Sequence, residues 1–349
     1  MAGNMVYDLV EPAVLIDYVR AYDNEVLRQE AAFVLDRWIP NREVDDLEFR
    51  VRKSSLQDVD AAVYRAWDTP APMTGRPGVQ RIAGEIAPVS RQIALGEEES
   101  LRLRALERGN NDPIIDAIYA DAERMTRSVQ ARIELARGDV INDGIVSISE
   151  NGLTLTADFG RDASMSVTPA GDLWTVTATS TPLSDLLGWM ETYEDLNGVT
   201  PGTLLVPRAR LANFALNAEM RSYAAANGTT PTRLNRQAIN DVFASEGLPP
   251  LEVYDGQFRV EGVKTRVLPQ NKCFFLPPVG VPYGNTFYGI TPEAVKLAAK
   301  GLIEQTALPG IVAVVTETDH PVQTYTVGTG IALPVTPNVN LVMDMTVAA

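Results

Sequence analysis

Leu47-Glu48-Phe49-Arg50-Val51-Arg52 places Leu47, Phe49 and Val51 on one face and Glu48, Arg50 and Arg52 on the other, the two-residue period of a half-buried strand. It belongs to a longer segment, Arg42 to Gly96, that alternates like β-structure yet has too few apolar residues for a core of its own. A second run, Val59 to Trp67, can return antiparallel. The stretch from Asp68 to Gly78, with Pro70, Pro72, Gly75, Pro77 and Gly78, is turn chemistry, and Val79 to Leu95 is a third, weakly alternating stretch. The expectation is a long two- or three-stranded arm. Isolated hairpins are marginal in water and exposed edges invite pairing, so such an arm is suited to lie on another copy. That points to assembly rather than catalysis.

Composition narrows the alternatives. The chain has 349 residues, 45% of them hydrophobic, enough for a sizeable core and for two domains. Lys and Arg number 30 against 45 Asp and Glu, a formal charge of −15, which argues against a general nucleic-acid-binding or anionic-membrane surface. The single cysteine, Cys273, sits in Cys273-Phe274-Phe275-Leu276 and reads as a small buried hydrophobe in a reducing compartment. No signal-peptide pattern opens the chain, and no apolar run approaches the roughly 18 residues of a membrane span. The expectation is a soluble chain.

The clearest helix lies beyond the arm. Asp112 and Pro113 start it, and Ile114, Ile118, Ala122, Met125, Val129, Ile133 and Ala136 recur at spacings of four and three until Gly138. A helix over 112–137 is roughly 40 Å long and can act as a spine, with Glu123 and Arg127 placed to pair along it. Before the arm, Leu15, Ile16, Val19, Phe33, Leu35 and Trp38 imply short helices ending at Pro40. After the spine, two alternating runs flank Asn151-Gly152, a strong hairpin signal. Further strands are expected at Trp174–Ala178, Thr203–Val206, Leu251–Tyr254, Gln257–Val260, Thr265–Leu268, Ile311–Thr318, Thr324–Val327 and Asn340–Val347. Helices are expected at Thr181–Leu196, Pro207–Asn217, Arg236–Ser245 and Pro292–Gln305. Their irregular alternation argues α+β. Leu341, Met343 and Met345 mark a last strand expected to return beside the spine helix.

Familiar catalytic chemistry is missing. His320, the only histidine, falls in Thr318-Asp319-His320-Pro321 and reads as a loop residue, with no second histidine or paired cysteine to complete a zinc or triad site. Gly328-Thr329-Gly330 lacks the third glycine of a dinucleotide fingerprint, and no phosphate-binding GxxxxGK[ST] occurs. Glu97-Glu98-Glu99 reads as a helix N-terminus, and Asp139 and Asp143 as turn residues rather than calcium ligands. No catalytic, cofactor-binding or metal residue is assigned. A carboxylate pair assembled only by folding, as in a hydrolase, stays open.

The order of short N-terminal arm, extended arm, spine helix, hairpin, α+β insertion and returning strand resembles the major capsid proteins of tailed bacteriophages. It looks most like their lambda-type major head protein branch, with the Hong Kong phage-type capsid fold. The resemblance is carried by Val44 through Glu99, especially Gly75-Arg76-Pro77-Gly78 and Gly84 to Leu95, then by Met125 to Gln130 and Gly138-Asp139. It implies an N-terminal arm (1–43), an E-loop lying over an adjacent subunit (44–99), a P-domain with the spine (100–180), an A-domain around shell vertices (181–320) and C-terminal strands returning to the P-domain (321–349).

The resemblance further implies hexamers and pentamers of an icosahedral shell, packaged double-stranded DNA bound without sequence specificity, a portal, and a decoration or cement protein. It also implies a separate scaffolding protein, because the short N-terminal arm leaves no room for a cleaved scaffold. Glu48, Arg50, Arg52, Lys53, Arg65 and Arg76 would set register between subunits. One branch of the family joins an E-loop lysine to a P-domain asparagine; the positions here would be Lys53 with Asn338 or Asn340, but no glutamate follows Glu317 to assist. An encapsulin-like compartment shell and a tail or baseplate component are the neighbouring alternatives.

Overall fold

The protein is described here from a computed structural model covering residues 4–5, 10–25, 29–53, 80–106, 112–225, 229–281, 283–303 and 309–349. It begins with β1 (Asn4–Met5), α1 (Pro12–Glu25) and β2 (Asn41–Glu43). The arm is β3 (Glu48–Lys53) and β4 (Gln80–Glu85), paired antiparallel from Glu48↔Glu85 to Lys53↔Gln80. The Val59–Trp67 run and the Pro/Gly turn after it lie outside the described residues. Next come β5 (Pro88–Leu95), α2 (Glu97–Leu106), α3 (Asp112–Asp143), β6 (Ile145–Glu150), β7 (Leu153–Asp158) and β8 (Ser166–Val167). The middle of the chain holds α4 (Pro182–Asn197), β9 (Thr203–Val206), α5 (Arg208–Leu216), α6 (Ala218–Tyr223), α7 (Arg236–Ser245), β10 (Leu251–Val253), β11 (Gln257–Val260), β12 (Val263–Arg266), β13 (Lys272–Leu276) and β14 (Asn285–Tyr288). It ends with α8 (Pro292–Ala299), β15 (Val312–Asp319), β16 (Val322–Val335) and β17 (Met343–Thr346).

Helix α3 has 32 residues, about 48 Å at 1.5 Å per residue, and buries the expected stripe from Ile114 through Ile133. It does not stop at Gly138. A Cβ there would lie 2.3 Å from the Val267 carbonyl oxygen, so this glycine admits a crossing backbone instead of ending the helix. The stop comes at Gly144, whose φ of 74° favours glycine. Asp139 and Asp143 are accordingly last-turn helix residues, not turn residues. Gly328 has a similar role in β16, where a Cβ would come 2.7 Å from Met125 Cβ. The glycine pair tested against a nucleotide motif thus serves close strand–helix packing.

Beside α3 lies a sheet in the order β1-β15-β16-β14-β2, with β5 on the opposite edge of β16. A second sheet runs β10-β9-β13-β17-β8 and is buried on both faces. Leu205, Phe274 and Leu276 enter one core with Trp38, Val140 and Leu333. Their neighbours Leu204, Val206, Cys273 and Phe275 enter a second core with Trp174, Tyr193, Phe214 and Phe243. The sheet is therefore a shared wall. Such strands read as continuous apolar runs; β9 was legible as one, while β13 offers no alternation and was missed.

Several sequence expectations are corrected. The last strand, β17, pairs with β13 and β8 rather than beside the spine; the strand crossing α3 is β16, far longer than Thr324–Val327. Trp174–Ala178 forms turns, because the buried Trp174 is fixed through its amide to Val347 O and through Nε1 to Asp185 Oδ2. The strand expected at Thr265–Leu268 lies earlier, at Val263–Arg266, and the helix beginning at Pro292 ends at Ala299.

The crossing at Gly138 is directly testable. Gly138→Ala gains helix propensity of about 1 kcal/mol but forces the Val267 backbone away, at a cost expected to outweigh it. A net loss of about 1–3 kcal/mol should appear in urea unfolding of the variant.

Candidate assembly surface

The arm is anchored at its base. Phe49 is 3% exposed, and its ring stacks on Phe287 with centroids 6.1 Å apart. Across the ladder, a Cβ on Gly84 would meet the Phe49 ring at 2.9 Å, so the glycine makes room for it. Val51 and Ile82 are half-buried against the same core. Leu47, expected on this face, is instead 56% exposed, because it precedes the strand in a bend.

The polar residues expected on the arm have separate fates. Glu48 and Arg50 pair with each other along β3 at 3.1 Å, both well solvated, a contact worth little. Arg52 and Lys53 lie opposite Arg81 and Gln80 in the ladder, while Arg65 and Arg76 fall outside the described residues. Asn338 is buried. Asn340 Oδ1 accepts the Asp162 amide at 2.8 Å, and its backbone carbonyl accepts from Asn197 Nδ2 at 3.0 Å, so its amide is already held within the chain.

A buried ionic knot fixes the frame to which the arm attaches. Arg137 Nη1 donates to Glu134 Oε2 at 2.9 Å, with both side chains almost fully buried. Arg137 also donates to Thr286 Oγ1 at 3.0 Å and to Asn41 Oδ1 at 2.5 Å. Glu134 Oε1 accepts the Leu35 amide at 2.9 Å and the Tyr254 hydroxyl at 3.3 Å. Burial pushes the Glu134 carboxyl up, while Arg137 and the Leu35 amide pull it back. Sequence reading missed this pair, which at a spacing of three on a helix looks like any surface pair. The pair that was expected, Glu123 with Arg127, does not form: Arg127 makes two 2.7 Å bonds to Glu30, and Glu123 accepts from Tyr18.

Arg161 makes a second connection. Its guanidinium donates to the carbonyls of Val140, Ile141 and Asn142 at the end of α3, and to Asp344 Oδ1 at 3.1 Å. A cation is thereby placed where the helix dipole favours it. Lys272 holds the other Asp344 oxygen at 2.9 Å.

A groove of about 780 Å³ runs between β5, the outer side of α3 and the β6–β7 and β11–β12 hairpins. Ala131, Arg132, Leu135 and Ala136 line it from α3, and Glu150, paired with Arg132 at 2.8 Å, lines it from the hairpin. Asp139 also lines it. Although Asp139 keeps an exposed face, the loss of water at the groove wall and then the nearby Asp143 push its carboxyl up to about 6, against the pull of Arg132.

Nothing at these positions resembles a reaction centre. His320 is in the exposed β15–β16 turn, and burial pushes the Cys273 thiol up. Among the described residues no group of His, Cys, Asp or Glu is placed to hold a metal, and no helix is long and apolar enough to cross a membrane.

A spine helix beside one sheet, a second two-sided sheet and the β3–β4 ribbon make up the Hong Kong phage-type capsid fold. The family model of phage major capsid protein E matches residues 21–347, and the chain belongs to that family. Its role is that of a phage major capsid protein, the repeated subunit of a viral shell. Among solved structures, a candidate capsid protein from an E. coli CFT073 prophage aligns with TM-score 0.60 at 13% identity, covering 95% of this chain and 99% of that one. A phage-related protein of Bordetella bronchiseptica RB50 aligns with TM-score 0.56 at 13% identity, covering 100% and 99%. A search of the curated proteins finds no match. The family match favours the phage head over the compartment, tail-component and hydrolase readings.

Two substitutions test the electrostatics. Glu134→Ala leaves Arg137 buried without its partner and should cost about 3–5 kcal/mol in thermal or urea unfolding. At Asp139 the folded-state value lies above the unfolded value of 3.8. The proton is therefore held more tightly in the folded chain, so this group favours folding at low pH, and that contribution is lost as pH rises through about 6. Asp139→Asn should flatten this part of the profile, raising the melting temperature at pH 8 relative to wild type more than at pH 5.

Proposed function

We propose that residues 44–99 form an E-loop that each subunit lays over its neighbour, that 100–180 with the strands of 321–349 form the P-domain, and that 181–320 form the A-domain around five- and six-fold vertices. The observation that carries this reading is the ribbon β3–β4. It is anchored on the core by Phe49, with Val51 and Ile82 packed beside it, and the segment it belongs to has too few apolar residues for a core of its own. A neighbouring subunit would supply the missing surface.

The charge pattern supports the same reading. Between Arg50 and Arg81 the basic residues Arg50, Arg52, Lys53, Arg65, Arg76 and Arg81 outnumber Asp58, Asp60 and Asp68, in a chain whose formal charge is −15. A basic arm laid on acidic neighbours gains orientation and register from complementary fields. Individually the pairs are weak; repeated over a shell they close it, and weak contacts permit correction during growth. The role is passive, with no catalytic step. A separate scaffolding protein, a portal and a trimeric cement protein complete the assembly, as in the lambda-type branch, and packaged DNA slides along an acidic wall that does not read its sequence.

Deleting residues 54–79, with a short Gly/Ser connector joining Lys53 to Gln80, is the test. Negative-stain microscopy should show closed shells for wild type and none for the deletion, while circular dichroism shows that the rest still folds. Shells formed by the deletion would overturn the arm assignment. Because Asn340 is held by Asp162, covalent joining through Lys53 is not expected. Boiled shells on a denaturing gel should run as monomers of 38.0 kDa, and a ladder of multiples would reverse that expectation.

A further inference from the structure

Strand β5 pairs with β16 along one edge, from Pro88↔Ile331 to Leu95↔Thr324, and among the described residues no strand pairs with its other edge. The register decides which groups are left over. The Ala332 amide donates to Ala87 O at 3.0 Å, so the Ala87↔Ala332 pair is hydrogen-bonded. Because such pairs alternate in an antiparallel ladder, Val89, Arg91, Ile93 and Leu95 direct their backbone groups at β16. The N–H and C=O groups of Ser90, Gln92 and Ala94 point the other way. Pro88 fits this phase, since its missing N–H falls on the open side, where β16 does not need it.

Among the described residues this edge is only lightly guarded. Ser90, Arg91, Gln92 and Ala94 are all exposed, Arg91 is the one charged residue, and between Pro88 and Gly96 there is no lysine and no further proline. Natural proteins blunt such edges with charge, proline, a bulge or a covering element, because an open edge templates pairing with another chain. Here the edge also borders the groove along α3, lined by Ala131, Arg132, Leu135 and Ala136. The sheet thus covers one side of the spine helix and stops a strand short of covering the other.

We propose that the open edge of β5 is completed in the shell by an extended segment of a second copy of this chain. The segment adds as a strand, and the side chains on its inner face fill the groove over α3. A second copy is the occupant favoured by the observations, because this chain already assembles with itself and the edge belongs to every subunit. An edge left bare on every copy would lead to unspecific aggregation. The inference rests on the shell reading above and adds to it a main-chain contact whose register Pro88 limits at one end.

Hydrogen exchange of unassembled subunits against closed shells, read at single-residue resolution, is the first test. In subunits the Ser90, Gln92 and Ala94 amides should exchange fast while Val89, Arg91 and Ile93 are protected. In shells the first set should slow by roughly a hundredfold or more. The second test is Gln92→Pro, which removes an outward N–H and fixes φ in a way an edge strand tolerates, beside Gln92→Ala, which keeps the N–H. The proline variant should give subunits with wild-type melting behaviour that fail to close shells, while the alanine variant assembles. Shells in which Ser90, Gln92 and Ala94 still exchange fast would overturn the inference alone. So would protection that appears only when a different protein is added to closed shells. A wild-type chain that forms no shells would overturn both this inference and the shell reading beneath it.

Discussion

The buried pair of Glu134 and Arg137 fixes the spine, the N-terminal segment and β14 relative to one another. An ion pair taken out of water recovers its desolvation only if its remaining donors and acceptors are met. Here they are met by four residues from three parts of the chain: Leu35 and Asn41 before the arm, Tyr254 after β10, and Thr286 in β14. None of these groups can shift far without stranding a charge. The pair therefore specifies where the N-terminal segment crosses the spine, and so where the arm departs. An apolar substitute would hold the same volume without dictating those positions.

The second constraint is the shared sheet. Because β9 and β13 send alternate side chains into two cores, a slip of one residue would exchange the contents of both at once. Asp344 ties this sheet to the spine through Arg161, whose guanidinium also covers the last carbonyls of α3. The helix end, the shared wall and the C-terminal strand are thereby held as one frame. Among the described residues, β5 joins this frame along one edge only, through its eight-residue ladder with β16.

Legibility followed the physics of periodicity. Elements with one wet and one dry face announced themselves: the α3 stripe, the Asn151-Gly152 hairpin, α7 from Arg236 to Ser245, and the alternation that put Phe49 and Val51 inward. Elements dry on both faces were read only in part: the apolar runs of β9 and β15 were found, while β13 and β14 were missed. Gly138 was misread because a glycine after a periodic helix signals a stop, and only the distant Val267 reveals a crossing. The placement of β17 was equally beyond local pattern, since Met343 and Met345 fit either sheet. Of the assembly surface, the arm was visible because its apolar count falls short. The open edge of β5 was not, because an edge is defined by which strand is missing beside it.

The arm and the edge divide the work of assembly by the kind of bond each offers. In the proposed assembly the arm offers scattered charged side chains, Arg50, Arg52, Lys53 and Arg81 among them, whose attraction is long-ranged, adjustable in register and weakened by salt. The β5 edge presents backbone groups, which pair only at contact and only in a fixed register. Encounter through the first and locking through the second is an order that the ranges of the two interactions impose: electrostatic steering acts before contact, and a ladder hydrogen bond cannot form until a strand is already aligned. A mispositioned subunit held by the arm alone can still leave. One that has completed the ladder must break several main-chain bonds together, so growth stays correctable until the register is right.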